Sequence, residues 1–236
     1  MAQDGLGDRM KTFYEDRNRL HLTRKIPVIM RLDGRAFHSL TKKYEKPFSN
    51  KFRDMMSAVA EKLMKEIQGA KFAYVQSDEI SILMTDFDRK TTEGWFNYNV
   101  QKMCSIAASI ASVEFHRLSG SMVEFDCRVF NIPKEEVKNY FIWRYHDWTR
   151  NALQMYARSL YSQKELNKKN RLDMHSMIDK KAKKKFEELD SQWQHGTSVH
   201  FIYGEDYGRA LVTVCKKISS ATKVFDDLMK PLEEDK

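Results

Sequence analysis

The chain has 236 residues, 42% hydrophobic and 31% charged, a balance that suits a folded domain and excludes a disordered one. No run of about 18 apolar residues occurs, so no membrane-spanning helix is expected. The polar start "MAQDGLGDRM" lacks the apolar core of a signal peptide, and the expected location is the cytoplasm. Three cysteines, Cys104, Cys127 and Cys215, are odd in number and far apart, which argues against a disulfide framework and a cysteine-type zinc site. The net charge of +8 favours a polyanionic partner, nucleic acid above all, because neutralising phosphates releases counterions. Lysines and arginines crowd residues 164–186, "KELNKKNRLDMHSMIDKKAKKKF", which reads either as a polyanion-binding surface or as a solvated, ion-paired helix face.

In chain order, "IPVIMRLD" (26–33) is short, apolar and followed by glycine, the pattern of a buried strand. A polar loop containing Pro47 follows, then Ser49 as an expected helix cap. Apolar residues recur at 52, 55, 56, 59, 60, 63, 64 and 67, a helical stripe stopped by Gly69. "FAYVQ" and "EISILMT" flank Ser77-Asp78 as a hairpin. A second helix is expected from Trp95 to Leu118, and "MVEFDCRVFNIP" (122–133) alternates as a strand up to Pro133.

Strand, helix, strand, strand, helix, strand is the split βαβ of α+β, ferredoxin-like folds, with an antiparallel sheet and both helices on one face. Residues 1–140 are expected to form this unit. Residues 141–236 are expected as a mainly helical region packed on it, helical to about 188 and closing with a hairpin, "SVHFIYGEDYGRALVTVC".

In this topology the first and third strands are antiparallel neighbours. Asp33 ends the first and Glu79 starts the third, so Asp33, Asp78 and Glu79 meet at one sheet edge. Three carboxylates there repel one another unless cations sit among them. Oxygen ligands at a wet rim suit Mg²⁺, and two such ions about 4 Å apart serve phosphoryl or nucleotidyl transfer. Gly34 would let the backbone approach metal and phosphate. The plain alternative is that Asp33-Gly34 and Ser77-Asp78 are simple turns.

"RLDGRAFH" (31–38) with "SDE" (77–79) resembles the tRNA(His) guanylyltransferase superfamily, the enzymes that add nucleotides in the 3′-to-5′ direction. Supporting matches are "KP" (46–47), "WF" (95–96), "FDCRV" (125–129), "WR" (143–144) and "HGT" (195–197). The resemblance implies a polymerase- or cyclase-like palm domain in which Asp33, Asp78 and the Gly34 carbonyl hold two Mg²⁺, with Glu79 as a third required acid. It implies that Asp33, Gly34, Arg35, Ala36, Phe37 and His38, with Ser77 and Asp78, line the nucleotide. Arg31, Lys46 and Lys102 would contact phosphates, and Asn151 and Lys180 would face RNA. ATP and GTP are the implied substrates, tRNA the implied partner, and a tetramer the implied assembly. Eukaryotic members acting on histidine tRNA carry "HINN", where this chain has "WTRN" (148–151), and Asn99 replaces an aligned arginine. That departure points to the like-protein branch, which repairs 5′-truncated tRNA by templated addition. The alternatives are addition of a guanylate to histidine tRNA, and a palm-type nucleotide cyclase.

Overall fold

The computed structural model describes residues 5–203 and 209–214. Strand β1 (Val28–Gly34) puts Val28, Met30 and Leu32 in one core and Ile29 in another, following the two-residue period of a strand. Helix α1 (Asn50–Glu66) starts where the sequence predicts, the Ser49 hydroxyl accepting the Phe52 N–H at 3.3 Å. Its stripe from Phe52 to Met64 is buried in the same core as Val28, Met30 and Leu32, each large side chain contributing roughly 1.5–3 kcal/mol.

Strands β2 (Ala70–Gln76) and β3 (Glu79–Met84) form the expected hairpin. Gln76 pairs with Glu79, which leaves Ser77 and Asp78 as the whole connection, and Ser77 takes a left-handed backbone at φ 49°. Such a conformation costs a non-glycine residue about 1–3 kcal/mol, which the two strands hold in place.

The second long helix starts later than its apolar stripe suggests. Helix α2 spans Val100–Ser119, and before it Phe96, Asn97 and Tyr98 are all left-handed, at φ 51°, 49° and 56°. Asn99 ends that turn, its side chain accepting the Lys102 N–H at 3.0 Å. A cap, not the hydrophobic period, sets this boundary.

Strand β4 (Phe125–Asn131) completes the split βαβ. The sheet has six antiparallel strands in the order β4-β1-β3-β2-β5-β6, where β5 is Thr197–Tyr203 and β6 is Arg209–Val214. The closing hairpin thus extends the sheet at the β2 edge; Cys215 and the turn at 204–208 lie outside the described residues. Helices α1 and α2 cover one face. Helix α3 (Val137–Leu160) covers the other, packing Val137, Tyr140, Phe141 and Tyr145 on Ile29, Phe72, Tyr74 and Leu83. A boundary at 140/141 therefore falls inside α3.

Helicity does not run unbroken to 188. Capping boxes at Ser162/Glu165 and Asn170/Asp173 restart it, the second opening α4 (Arg171–Lys181). Helix α4 and the short α5 (Ser191–His195) pack on α3, and Trp148, Leu153, Ile178 and Phe186 belong to this third core. Among the described residues no helix is long and apolar enough to cross a membrane.

Candidate active site

Asp33 is the penultimate residue of β1, and Asp78 lies in the β2–β3 connection. The Gly34 N–H donates to the Asp78 carbonyl at 3.1 Å, which ties both acids to one sheet edge. The need for glycine at 34 has a local cause: a Cβ there would collide with the Phe37 ring. That ring cannot yield, being buried with Phe115 and Phe125 at centroid distances of 5.2 and 5.1 Å.

Burial pushes the Asp78 carboxyl above its ordinary pKa; its own backbone N–H pulls back, and the Asp33 charge pushes it further up. Two carboxylates that repel each other at one sheet edge are a donor set that fits a hard divalent cation. Mg²⁺ takes one or two carboxylates and completes its shell with water and substrate phosphates. Among the described residues no group of three or more His, Cys, Asp or Glu side chains is arranged to hold a metal by itself.

Glu79 is in a different situation: it also feels the Asp33 charge, but cations of the protein itself sit beside it. Arg144 grips its carboxylate with both arms of the guanidinium, Nε donating to Oε1 and Nη2 to Oε2, each at 2.7 Å. Ser81 Oγ adds a bond to Oε1 at 3.3 Å, and Arg31 Nε stands 4.0 Å from Oε2. Burial holds the Glu79 carboxyl above its ordinary pKa, although the Arg144 and Arg31 cations pull it down; the Asp33 charge adds to the rise. These cations reach Glu79 because α3 lays Arg144 across the start of β3.

Ser77 and Asp78 stand between two adjoining cavities. One, of about 460 Å³, is lined by Phe37, His38 and Lys46 on one side and Trp148 and Arg158 on the other. Beside it Phe48 stacks on Trp193 at 4.8 Å with 10° between planes, and the Arg53 guanidinium sits 5.4 Å from the Trp193 ring centroid. The second cavity, of about 310 Å³, is lined by Asp33, Glu79, Arg144, Asp147 and Asn151, and shares Ser77, Asp78, Trp148, Met155 and Arg158 with the first.

Most expected site residues thus meet. Arg35 instead points outward, exposed and ion-paired with Glu124. Ala36 supplies the left-handed turn, φ 57°, that carries the chain from β1 into Phe37. Arg31 is largely buried beneath the site beside Glu79.

Lys102 is not brought to the carboxylates. It occupies the first turn of α2, whose start is tied to Leu20 and Leu22, near the Val28–Asn131 end of the sheet. A 20-residue helix spans about 30 Å, so only the far end of α2 reaches the Asp33 edge. Lys180, on α4, is exposed and lines neither cavity. Asn99, which replaces the aligned arginine, is buried as the α2 cap.

Residues the sequence reading missed come mainly from α3: Arg144, Asp147, Trp148, Met155 and Arg158. Their spacing, with Asn151, is one helical face. That periodicity is present in the sequence, but nothing local says which face of α3 meets the sheet edge.

Residues 7–133 match the model of the tRNAHis guanylyltransferase family. The chain belongs to that family. Matched over 97% of its length, it is 33% identical to a bacterial tRNA(His) guanylyltransferase-like protein in complex with ATP, with a TM-score of 0.87 and all of that chain covered. The GTP complex of a bacterial like-protein matches at 34% identity over 96% of this chain and 99% of that one, with a TM-score of 0.82. The probable tRNA(His) guanylyltransferase of Homo sapiens is 33% identical over 53% of this chain. That match spans 45% of the human protein, so only about half of this curated relative is represented. An uncharacterized protein of Acanthamoeba polyphaga mimivirus is 26% identical over 97% of this chain and 89% of its own. The family is one of nucleotidyltransferases, and its matched segment holds Asp33, Gly34, Asp78 and Glu79. Arg144 and the rest of the α3 face lie beyond it.

Proposed function

We propose that this protein adds nucleotides to the 5′ end of tRNA in the 3′-to-5′ direction, repairing truncated ends by templated addition. The observation that carries this reading is the pair Asp33 and Asp78 at one sheet edge, with Asp78 shared by two cavities, one walled by cations and aromatic rings. In the first step an oxygen of the tRNA 5′-monophosphate attacks the α-phosphorus of ATP or GTP, and pyrophosphate leaves. In the second, the 3′-hydroxyl of the incoming nucleotide attacks the 5′-phosphate of that adduct, and the nucleoside monophosphate leaves. A terminal pyrophosphate can then be removed.

Mg²⁺ held by Asp33 and Asp78, with the Gly34 backbone nearby, would neutralise phosphate charge and activate the attacking oxygen. Lys46 and Arg158 face the same space as Asp78 and offset charge on the triphosphate. His38 and Phe37 would wall the nucleotide. The lysine-rich 164–186 segment is proposed to meet the tRNA backbone, with a salt dependence to match. A tetramer would let one protomer's basic surface serve another's site.

Two observations favour repair over guanylation of histidine tRNA. Trp148, at the head of "WTRN", is buried as a wall common to both cavities, a place shaped by packing. The similarity to the bacterial like-protein also runs the length of the chain, at 33% identity. The test offers two 5′-monophosphorylated substrates with Mg²⁺, ATP and labelled nucleotides: a tRNA lacking its first nucleotide, and a histidine tRNA lacking its extra guanylate. Templated extension of the first at the higher rate supports repair; addition confined to the second overturns it.

A further inference from the structure

Arg144 lies outside the matched family segment, yet it is among the most heavily engaged side chains near the site. It is 6% exposed, and Glu79 is 8% exposed. Besides its two bonds to Glu79, Nη2 donates to Asp147 Oδ2 at 3.0 Å. Gln76, with its amide set to suit its neighbours, donates to the Arg144 carbonyl at 2.6 Å and accepts from Nη2. Above, the guanidinium carbon sits 4.4 Å from the centroid of the Trp143 ring. Its hydrogen-bond partners on the sheet side are the last residue of β2 and the first of β3, the two that flank Ser77 and Asp78.

Glu79 is also the cross-strand partner of Asp33 in the β1–β3 register. One guanidinium thus joins the strand ends that carry both candidate metal-binding acids to the helix whose next turns supply Asp147, Trp148, Asn151, Met155 and Arg158 to the cavities. A carboxylate held in a two-pronged arginine fork has its best lone pairs committed, and is poorly placed to bind a cation as well.

We propose that Arg144 is a positioning residue, and that Glu79 serves nucleotide transfer through it: the pair clamps the cavity face of α3 over Asp33 and Asp78, and Glu79 binds no metal. This rests on the function proposed above. The clamp needs the fork geometry as well as the charge, and a lysine, with a single ammonium, cannot supply it.

The experiment compares wild type with Glu79→Gln, Arg144→Gln, Arg144→Lys and the double variant Glu79→Gln/Arg144→Gln. It reads kcat and KM on the truncated tRNA, melting temperature, and Mn²⁺ binding with ATP by electron paramagnetic resonance. We expect each folded single variant to lose tenfold or more in kcat, Arg144→Lys included. The double variant should be no slower than the slower single, because both remove one interaction. Mn²⁺ stoichiometry and affinity should stay at wild-type values throughout.

Three results would overturn the proposal: near-wild-type kcat in Arg144→Gln beside an inactive Glu79→Gln, a lost Mn²⁺ in Glu79→Gln, or full kcat in Arg144→Lys. Should the single variants fail to fold with one charge buried alone, the double variant leaves no orphaned charge and decides the matter. It must then bind Mn²⁺ as wild type does, and a missing ion sinks the clamp. Absence of transfer by the wild type would count against the underlying function instead, and the Mn²⁺ readout would still report on Glu79.

Discussion

Replacing Gly34 by alanine tests whether packing, rather than ligand approach alone, dictates the residue beside Asp33. The three atoms nearest to a Cβ at 34 all belong to the Phe37 ring, far inside van der Waals contact. Phe37 is 2% exposed and wedged against Phe52, Phe115 and Phe125, so the ring has no free direction in which to move. Overpacking of this kind costs about 1–3 kcal/mol. For a chain of this size that is a fall of roughly 2–12 °C in Tm, at about 2–4 °C per kcal/mol. Relief by backbone movement displaces Asp33, its immediate neighbour, and an ångström at a reacting centre is worth about 100-fold in rate. Thermal melts and single-turnover nucleotide transfer measure both effects. Phe37→Leu opens space, so Gly34→Ala/Phe37→Leu should lose less Tm than the two single losses added together. An unchanged Tm and rate in Gly34→Ala, or strict additivity in the double variant, would refute the reasoning.

Asp78→Asn should abolish transfer yet raise the Tm of the metal-free protein at neutral pH. Burial and the Asp33 charge raise the folded-state pKa of Asp78, so its contribution to stability is present below the ordinary carboxylate value and lost as pH rises through the raised one. Melts in EDTA across pH should show the variant's advantage shrink toward about pH 4, and a lower Tm than wild type at pH 7 would contradict the sign. Arg158→Ala should raise the KM for nucleoside triphosphate about tenfold, the worth of a hydrogen bond to a charged group, while leaving Tm unchanged because the side chain is exposed. Asn99→Ala removes the α2 cap and should cost about 1 kcal/mol in urea unfolding, with the slope against denaturant unchanged.

The palm was legible because local signals agreed with the global pattern. The helical stripe of α1, the Ser49 cap and the two apolar runs around Ser77-Asp78 each stood in the sequence, and together they fixed which strand ends meet. Asp33 and Asp78 could be placed from that topology alone. Glu79 could be placed but not understood, since its partner Arg144 is 65 residues away and no local pattern announces which α3 face will cover the sheet. Lys102 shows the converse. A motif match suggested a phosphate contact, but the direction of α2 carries the residue to the other end of the sheet. The left-handed turn at Phe96–Tyr98 was hidden because its residues read as a continuous apolar stripe, and only Asn99, a good cap, hinted at the later start.

The most direct test of the central claim follows label from the α-phosphate of ATP to the 5′ end of a monophosphorylated, truncated tRNA in Mg²⁺. Wild type is compared with Asp33→Asn and Asp78→Asn, each checked by circular dichroism and tRNA binding. The account predicts transfer by the wild type and a loss of about 100-fold or more in both variants, since each removes a carboxylate from the charge-neutralising centre. Transfer at the wild-type rate by either folded variant would contradict it.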